Sequence, residues 1–84
     1  MTRIALVDDE NSIRTSVSLA LESEGFQVDV FQNGLEALEA LESKTYDLGL
    51  FDIKMPKMDG NELLSKVRSS RNQNLKEMPI IFLT

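Results

Sequence analysis

The sequence predicts an α/β fold: a doubly wound parallel sheet with helices on both faces. Three observations lead there. Four short apolar runs alternate with three amphipathic helical stripes, in the order β-α-β-α-β-α-β that favours right-handed crossovers. Eighty-four residues suffice for one small domain, and two would each fall near the size at which cores fail. Three of the four apolar runs end on oxygen-bearing side chains, Asp8 with Asp9, Asp52, and Thr84. In open α/β sheets the ligand crevice lies beyond the carboxyl ends of the strands, so this convergence marks a site.

Each element has its own signal. Arg3 to Val7 is apolar without alternation, as in a strand covered on both faces. From Ser12 to Glu24 the apolar positions Ile13, Val17, Ala20 and Leu21 form a helical stripe, and Gly25 stands where a left-handed C-terminal cap belongs. Gln27 to Phe31 alternates polar and apolar, as a half-covered strand does. Asn33-Gly34 opens a second helix with Leu35, Leu38 and Leu41 on one face, widened by Ala37 and Ala40. Asp47 to Phe51 reads as a buried strand delivering Asp52, with Tyr46 as a half-buried anchor before it. Asp59-Gly60 precedes a third helix, Asn61 to Arg68, with Leu63, Leu64 and Val67 as its apolar residues. Ser69 to Met78 is polar without a clear period and is expected to be a loop. Pro79 to Leu83 is the fourth strand, ending on Thr84.

Composition narrows the chemistry. Fourteen acidic residues against nine basic give a net charge of −5, so the domain is a poor nucleic-acid binder by itself. Cysteine and histidine are both absent, which excludes disulfides, thiolate catalysis, Ser–His catalysis, and zinc held by either side chain. Carboxylates, hydroxyls, Lys, Arg, Tyr and the backbone remain. No apolar run approaches the ~20 residues of a membrane span, and the N-terminal stretch is too short for a signal peptide. A cytoplasmic protein without membrane contact is expected.

A lone Asp after a strand is ordinarily a solvated acid at a loop start. Here, if the first and third strands are neighbours, Asp8, Asp9 and Asp52 share one small pocket. Their repulsion there is relieved by a cation or a proton. A hard divalent ion fits such a donor set, and magnesium commonly takes one or two carboxylates, waters and a phosphoryl oxygen.

The residues Val7-Asp8-Asp9-Glu10, then Leu50-Phe51-Asp52-Ile53-Lys54-Met55-Pro56-Lys57-Met58-Asp59-Gly60, then Ile81-Phe82-Leu83-Thr84 resemble a response-regulator receiver domain of two-component systems. The resemblance runs from Arg3 to Thr84. Within the family, Val17 to Glu22 and Phe51 to Pro56 resemble the ChvI type of winged-helix regulator. The resemblance implies a flavodoxin-like (CheY-like) sheet and a phosphoryl group received on Asp52 from a sensor histidine kinase, with Mg2+ as cofactor. Asp9 would ligate the metal directly, Asp8 mostly through water, and Lys54 through its backbone carbonyl, beside Asp52 itself. Thr84 would hydrogen-bond the phosphoryl group and act as the switch. Ile13, Arg14 and Val17 would be contacts for the kinase, and a transcription-regulating output would bind DNA. Such a domain assists its own phosphorylation without being a turnover enzyme. Met55-Pro56 would fix the loop leaving the site, and Gly60 would permit a tight turn.

On the family pattern a further helix, a fifth strand and a fifth helix follow. Residues 1–84 are therefore expected to be the N-terminal part of a receiver domain, without the fifth-strand lysine. Metal should then matter more to the pocket's stability. The fourth strand becomes an apolar edge, and a homodimer or larger assembly is expected through it. Two other functions compete. One is a magnesium-dependent phosphohydrolase of the haloacid-dehalogenase kind, which wants a carboxylate where Lys54 stands. The other is a non-phosphorylated receiver-like interaction module, which should bind no magnesium. Met55, Met58 and Met78 fit gap filling better than a partner surface. Lys54, Lys57, Lys66, Arg68 and Arg71 fit a solvated face better than a nucleic-acid patch.

Overall fold

A computed structural model describes residues 1–83. Its elements are β1 (Arg3–Val7), α1 (Asn11–Ser23), β2 (Gln27–Phe31), α2 (Gly34–Ser43), β3 (Leu48–Asp52), α3 (Gly60–Arg68), α4 (Gln73–Lys76) and β4 (Ile80–Leu83). The strands form a parallel sheet in the order β2-β1-β3-β4. The chain reverses its direction of travel across the sheet between β1 and β3, so the topological switch point lies between the strands that carry the acids. The register sets Val7 against both Phe31 and Phe51, and Asp52 against Leu83.

Side-chain alternation along β1 splits the core. Ile4 and Leu6, with Leu50, pack under Val17 and Leu21 of α1. Ala5 and Val7, with Phe51, pack under Ala37 and Leu41 of α2, Leu63 and Val67 of α3, and Leu75. Phe51, Ile4 and Leu6 are among the largest side chains fully removed from water. Each such burial stabilises by about 1.5–3 kcal/mol. The two faces are unequal: α1 has no buried residue, and its Ile13 is 37% exposed. The stripe predicted on Ile13 and Ala20 is rotated; the half-buried face is Arg14, Val17, Ser18 and Leu21. In α2 the buried face is Ala37 and Leu41, and Leu35 is left exposed.

Gly25 has the expected left-handed backbone, with φ of 94°. Its N–H donates to Glu22 O at 3.0 Å, and the Phe26 N–H donates to Leu21 O at 3.2 Å, a Schellman cap. Asn33 caps α2 through its side chain, which accepts from the Glu36 N–H at 2.9 Å. β3 lies one residue later than predicted. Asp47 stays outside it and closes the sheet's start, donating its N–H to Arg3 O and accepting the Arg3 N–H, each at 2.8 Å.

The stretch from Ser69 to Met78, expected to be a loop, contains the single-turn helix α4. Asn72 starts it, accepting from the N–H groups of Asn74 at 3.0 Å and Leu75 at 3.3 Å. Leu75 and Met78 are buried beneath it. Arg68 holds it from below, donating to the carbonyls of Lys76 at 2.8 Å and Met78 at 2.7 Å. Four residues are too few for a hydrophobic period to show, which is why polarity dominated the sequence signal.

Tyr46 is buried rather than half-buried. Its hydroxyl donates to the Asp29 carboxylate at 2.5 Å, and its ring meets Phe31 edge-on, with centroids 6.4 Å apart. Burial first, then the bond to Asp29, push the phenol's pKa above its ordinary 10.0. The folded state therefore keeps a proton that the unfolded state has lost above pH 10, so stability present below that pH falls as pH rises further. Tyr46→Phe is expected to cost about 1.5 kcal/mol near neutrality. It should also flatten the alkaline loss, and urea melts from neutral to about pH 11 would register both effects. An equally steep alkaline loss in the variant would remove Tyr46 as its source.

Candidate functional site

Two strand ends build the site. Asp8 and Asp9 leave β1, and Asp52 is the last residue of β3. Because those strands are hydrogen-bonded neighbours, the three acids share the sheet's carboxyl edge. One carboxylate oxygen from each lies within 4.8 Å of the others. Asp8 is buried, Asp9 exposed and Asp52 intermediate. Two charges at such a distance repel by roughly 3 kcal/mol at an effective dielectric near 20, less where solvent screens Asp9. Burial first raises the Asp52 pKa, and the charges of Asp8 and Asp9 raise it further, against the Ile53 N–H, which lowers it.

The turn after β1 is held on several sides. The Asp8 N–H donates to Phe31 O at 3.1 Å, and the Asp8 carboxylate accepts the Glu10 N–H at 2.9 Å. Arg14 reaches back from α1 to the Asp8 carbonyl at 2.7 Å. Arg14 was expected only as a partner contact. Its anchoring of Asp8 from six residues away has no local sequence signature.

The turn after β3 is held by two close approaches. The Gly60 N–H donates to Ile53 O at 2.7 Å, and a Cβ on Gly60 would sit 2.3 Å from Asp52 O. Gly60 is therefore required for proximity to Asp52, not for the positive-φ turn that its type suggested. A Cβ on Gly34, at the start of α2, would likewise meet Met58 O at 2.6 Å. Asp59 caps α3 by accepting the Glu62 N–H at 2.8 Å. Between them Lys57 adopts φ of 70°, and the Met58 N–H donates to Pro56 O at 2.8 Å, a strained γ-turn-like link. Met55 and Met58 are buried packing residues, as the sequence implied.

Two clefts flank the acids. One of about 450 Å³ brings Asp8 and Asp52 together with Ile13 and Val17 of α1 and Phe82 and Leu83 of β4. Ile13 and Val17, singled out as contact candidates, thus border the Asp52 carboxylate. The other, of about 570 Å³, is lined by Asp9, Lys54, Pro56, Asp59 and Asn61. Lys54 is exposed there. Thr84 lies outside the described residues. A set of hard carboxylate oxygens that repel one another matches a hard divalent cation such as Mg2+, so the residues fit the expected metal. No helix among the described residues is long and apolar enough to cross a membrane.

Comparison with known proteins agrees with this geometry. Residues 4–84 match the family described as the response regulator receiver domain. The transcriptional regulatory protein CpxR homolog of Haemophilus influenzae is 40% identical over 84 residues, covering all of this chain and 34% of the relative. The chain thus spans about a third of that protein. The response regulator TrrA of Thermotoga maritima, solved in complex with Mg(2+)-BeF, superposes with a TM-score of 0.91 at 40% identity, over 100% of this chain and 70% of that one. TrrA solved with the histidine kinase ThkA superposes with a TM-score of 0.89, over 100% and 69%. The haloacid-dehalogenase-like alternative falls with these matches. With acids at the β1–β3 switch point and a family match over nearly every residue, the chain belongs to the response regulator receiver domains of two-component systems.

Proposed function

We propose that Asp52 is the phosphoryl acceptor of this domain and that Asp8, Asp9 and Asp52 itself, with the Lys54 carbonyl, hold Mg2+. The observation that carries this is the triad itself: three carboxylate oxygens within 4.8 Å at the sheet's switch point, one of them at the end of β3. A carboxylate suits this nucleophilic role because phosphoryl transfer needs mainly alignment and neutralised charge. The metal, when bound, supplies that neutralisation. Asp52 attacks phosphorus; the bond from phosphorus to the donor's imidazole nitrogen breaks, and its electron pair stays on the ring. Asp8 and Asp9 hold charge and position. The domain assists this transfer without turning over as an enzyme.

The donor is proposed to be a phosphorylated sensor histidine kinase docking over Ile13, Arg14 and Val17, which border the Asp52 cleft. The complex of TrrA with ThkA supports a kinase partner. The product adds roughly −1.5 to −2 charge, and Thr84 is proposed to read it by hydrogen bonding. The whole protein is proposed to be a cytoplasmic transcription regulator with a DNA-binding output, and the name of the Haemophilus relative, a transcriptional regulatory protein, supports the regulatory role alone.

Intact-protein mass after incubation with acetyl phosphate tests the function. One phosphoryl mass is expected with magnesium, and at least about tenfold less in chelator, given the several kcal/mol a metal supplies to developing charge. Equal uptake in both buffers would remove the metal from the account. No uptake while magnesium still binds would remove the acceptor role from this chain. Loss of both would favour an interaction module.

A further inference from the structure

At the opposite end of the sheet from the acids, the connection from α3 to β4 forms a second charged feature that phosphotransfer does not use. Between Lys66 and Lys76 stand four of the chain's nine basic residues, Lys66, Arg68, Arg71 and Lys76, with no acidic residue among them. The chain's net charge is −5, so this segment of +4 leaves −9 on the rest. Arg68 is engaged internally on the carbonyls of Lys76 and Met78. Lys66 and Arg71 instead line a cleft of about 330 Å³.

The cleft is amphipathic. Leu38 of α2 and Leu75 of α4 give it an apolar floor, and Ser70 adds a hydroxyl. Glu42, near the end of α2, lines it as well. The space suits one or two apolar side chains rather than an extended polymer. Its shape depends on α4, whose Asn72 cap and Arg68 clasp order a segment that its polar sequence would otherwise leave loose.

We propose that this cleft is a docking site for an acidic peptide segment of a partner protein, one that carries an apolar residue flanked by carboxylates. Charge complementarity selects the occupant. The apolar residue seats between Leu38 and Leu75, and the flanking carboxylates pair with Lys66 and Arg71. Glu42 opposes an acidic ligand, which limits affinity and gives the proposal a directional test. A nucleic-acid strand is disfavoured because a cleft of about 330 Å³ takes one or two side chains and not a run of bases. Because the cleft lies away from Asp52, the peptide should dock whether or not the acids hold metal.

The test uses fluorescence anisotropy with a labelled hexapeptide of sequence Asp-Glu-Leu-Phe-Glu-Asp, with amide shifts mapped on isotopically labelled protein. Shifts should centre on Leu38, Lys66, Arg71 and Leu75. The double reversal Lys66→Glu with Arg71→Glu should weaken binding at least about tenfold, and replacing Leu-Phe in the peptide by Ser-Ser should do so by a similar factor. Glu42→Gln should tighten it by about threefold, the scale of one exposed charge contact. Circular dichroism of each variant controls for folding, and these exposed positions leave the core intact. The proposal is overturned if the peptide does not bind, if charge reversal leaves affinity unchanged, or if shifts map elsewhere. It is equally overturned if phosphatidylglycerol vesicles or a single-stranded RNA oligomer bind these residues while the peptide does not.

Discussion

Asp52→Asn is expected to abolish phosphoryl uptake from acetyl phosphate, to below a hundredth of wild type, because the amide lacks the nucleophilic oxygen charge. Mass spectrometry of both proteins under magnesium reads this directly. The same substitution should act on stability with opposite signs in two buffers. In chelator, burial first, and then repulsion among the pocket's three carboxylates, raise the Asp52 pKa in the wild type. Removing one charge relieves that strain, so the variant should melt a few degrees higher, the scale of about 1 kcal/mol in a domain this small. In excess magnesium the order should invert, since the variant offers the cation one anionic ligand fewer. A variant that melts lower in both buffers would show that Asp52 is a structural acid rather than one held against its neighbours.

Gly60→Ala is expected to be the most damaging small substitution near the site. A Cβ there would lie 2.3 Å from Asp52 O and 2.9 Å from Ile53 Cα, so the contact is with backbone and cannot be relieved by a rotamer change. Either α3 lifts from the end of β3 or the acceptor strand moves. The expected cost is about 3 kcal/mol, equivalent to roughly 15 °C in melting temperature. Because the displaced atoms belong to Asp52 and Ile53, magnesium affinity should fall along with stability. Gly25→Ala provides the contrast: nothing lies within 4 Å of its Cβ position, and its φ of 94° confines the penalty to local strain. If Gly60→Ala melted as wild type, the packing of α3 on the acceptor strand would be looser than the geometry implies.

How much of this was legible beforehand follows from how local each signal is. The strands were legible because sheets covered on both faces demand unbroken apolar runs, and Ile4 to Val7 is such a run. The acids were legible because parallel strands bring their carboxyl ends to one edge, so Asp8, Asp9 and Asp52 had to meet once β1 and β3 paired. The caps at Gly25 and Asn33 obey residue preferences within one turn of chain. What escaped was set by tertiary contact. Tyr46 finds Asp29 seventeen positions away, and Arg14 finds the Asp8 backbone carbonyl six positions back. α4 is too short for any periodic signal, and only Asn72 with Leu75 hints at it. Gly60 was noticed for the wrong property, since its sequence context suggests a turn while its constraint is proximity. The rotation of the α1 stripe reflects packing over Ile4, Leu6 and Leu50 alone, which favours Val17 and Leu21 and leaves Ile13 near solvent beside the acids.

The most direct test of the central claim is to locate the phosphoryl group chemically. Borohydride reduces an aspartyl phosphate to homoserine, which tandem mass spectrometry assigns to a single position after proteolysis. Following phosphorylation with acetyl phosphate and magnesium, homoserine is predicted at Asp52 and at no other acid. Homoserine at Asp8, Asp9 or Asp59, or reduction products spread over several carboxylates, would contradict the assignment of Asp52 as the acceptor.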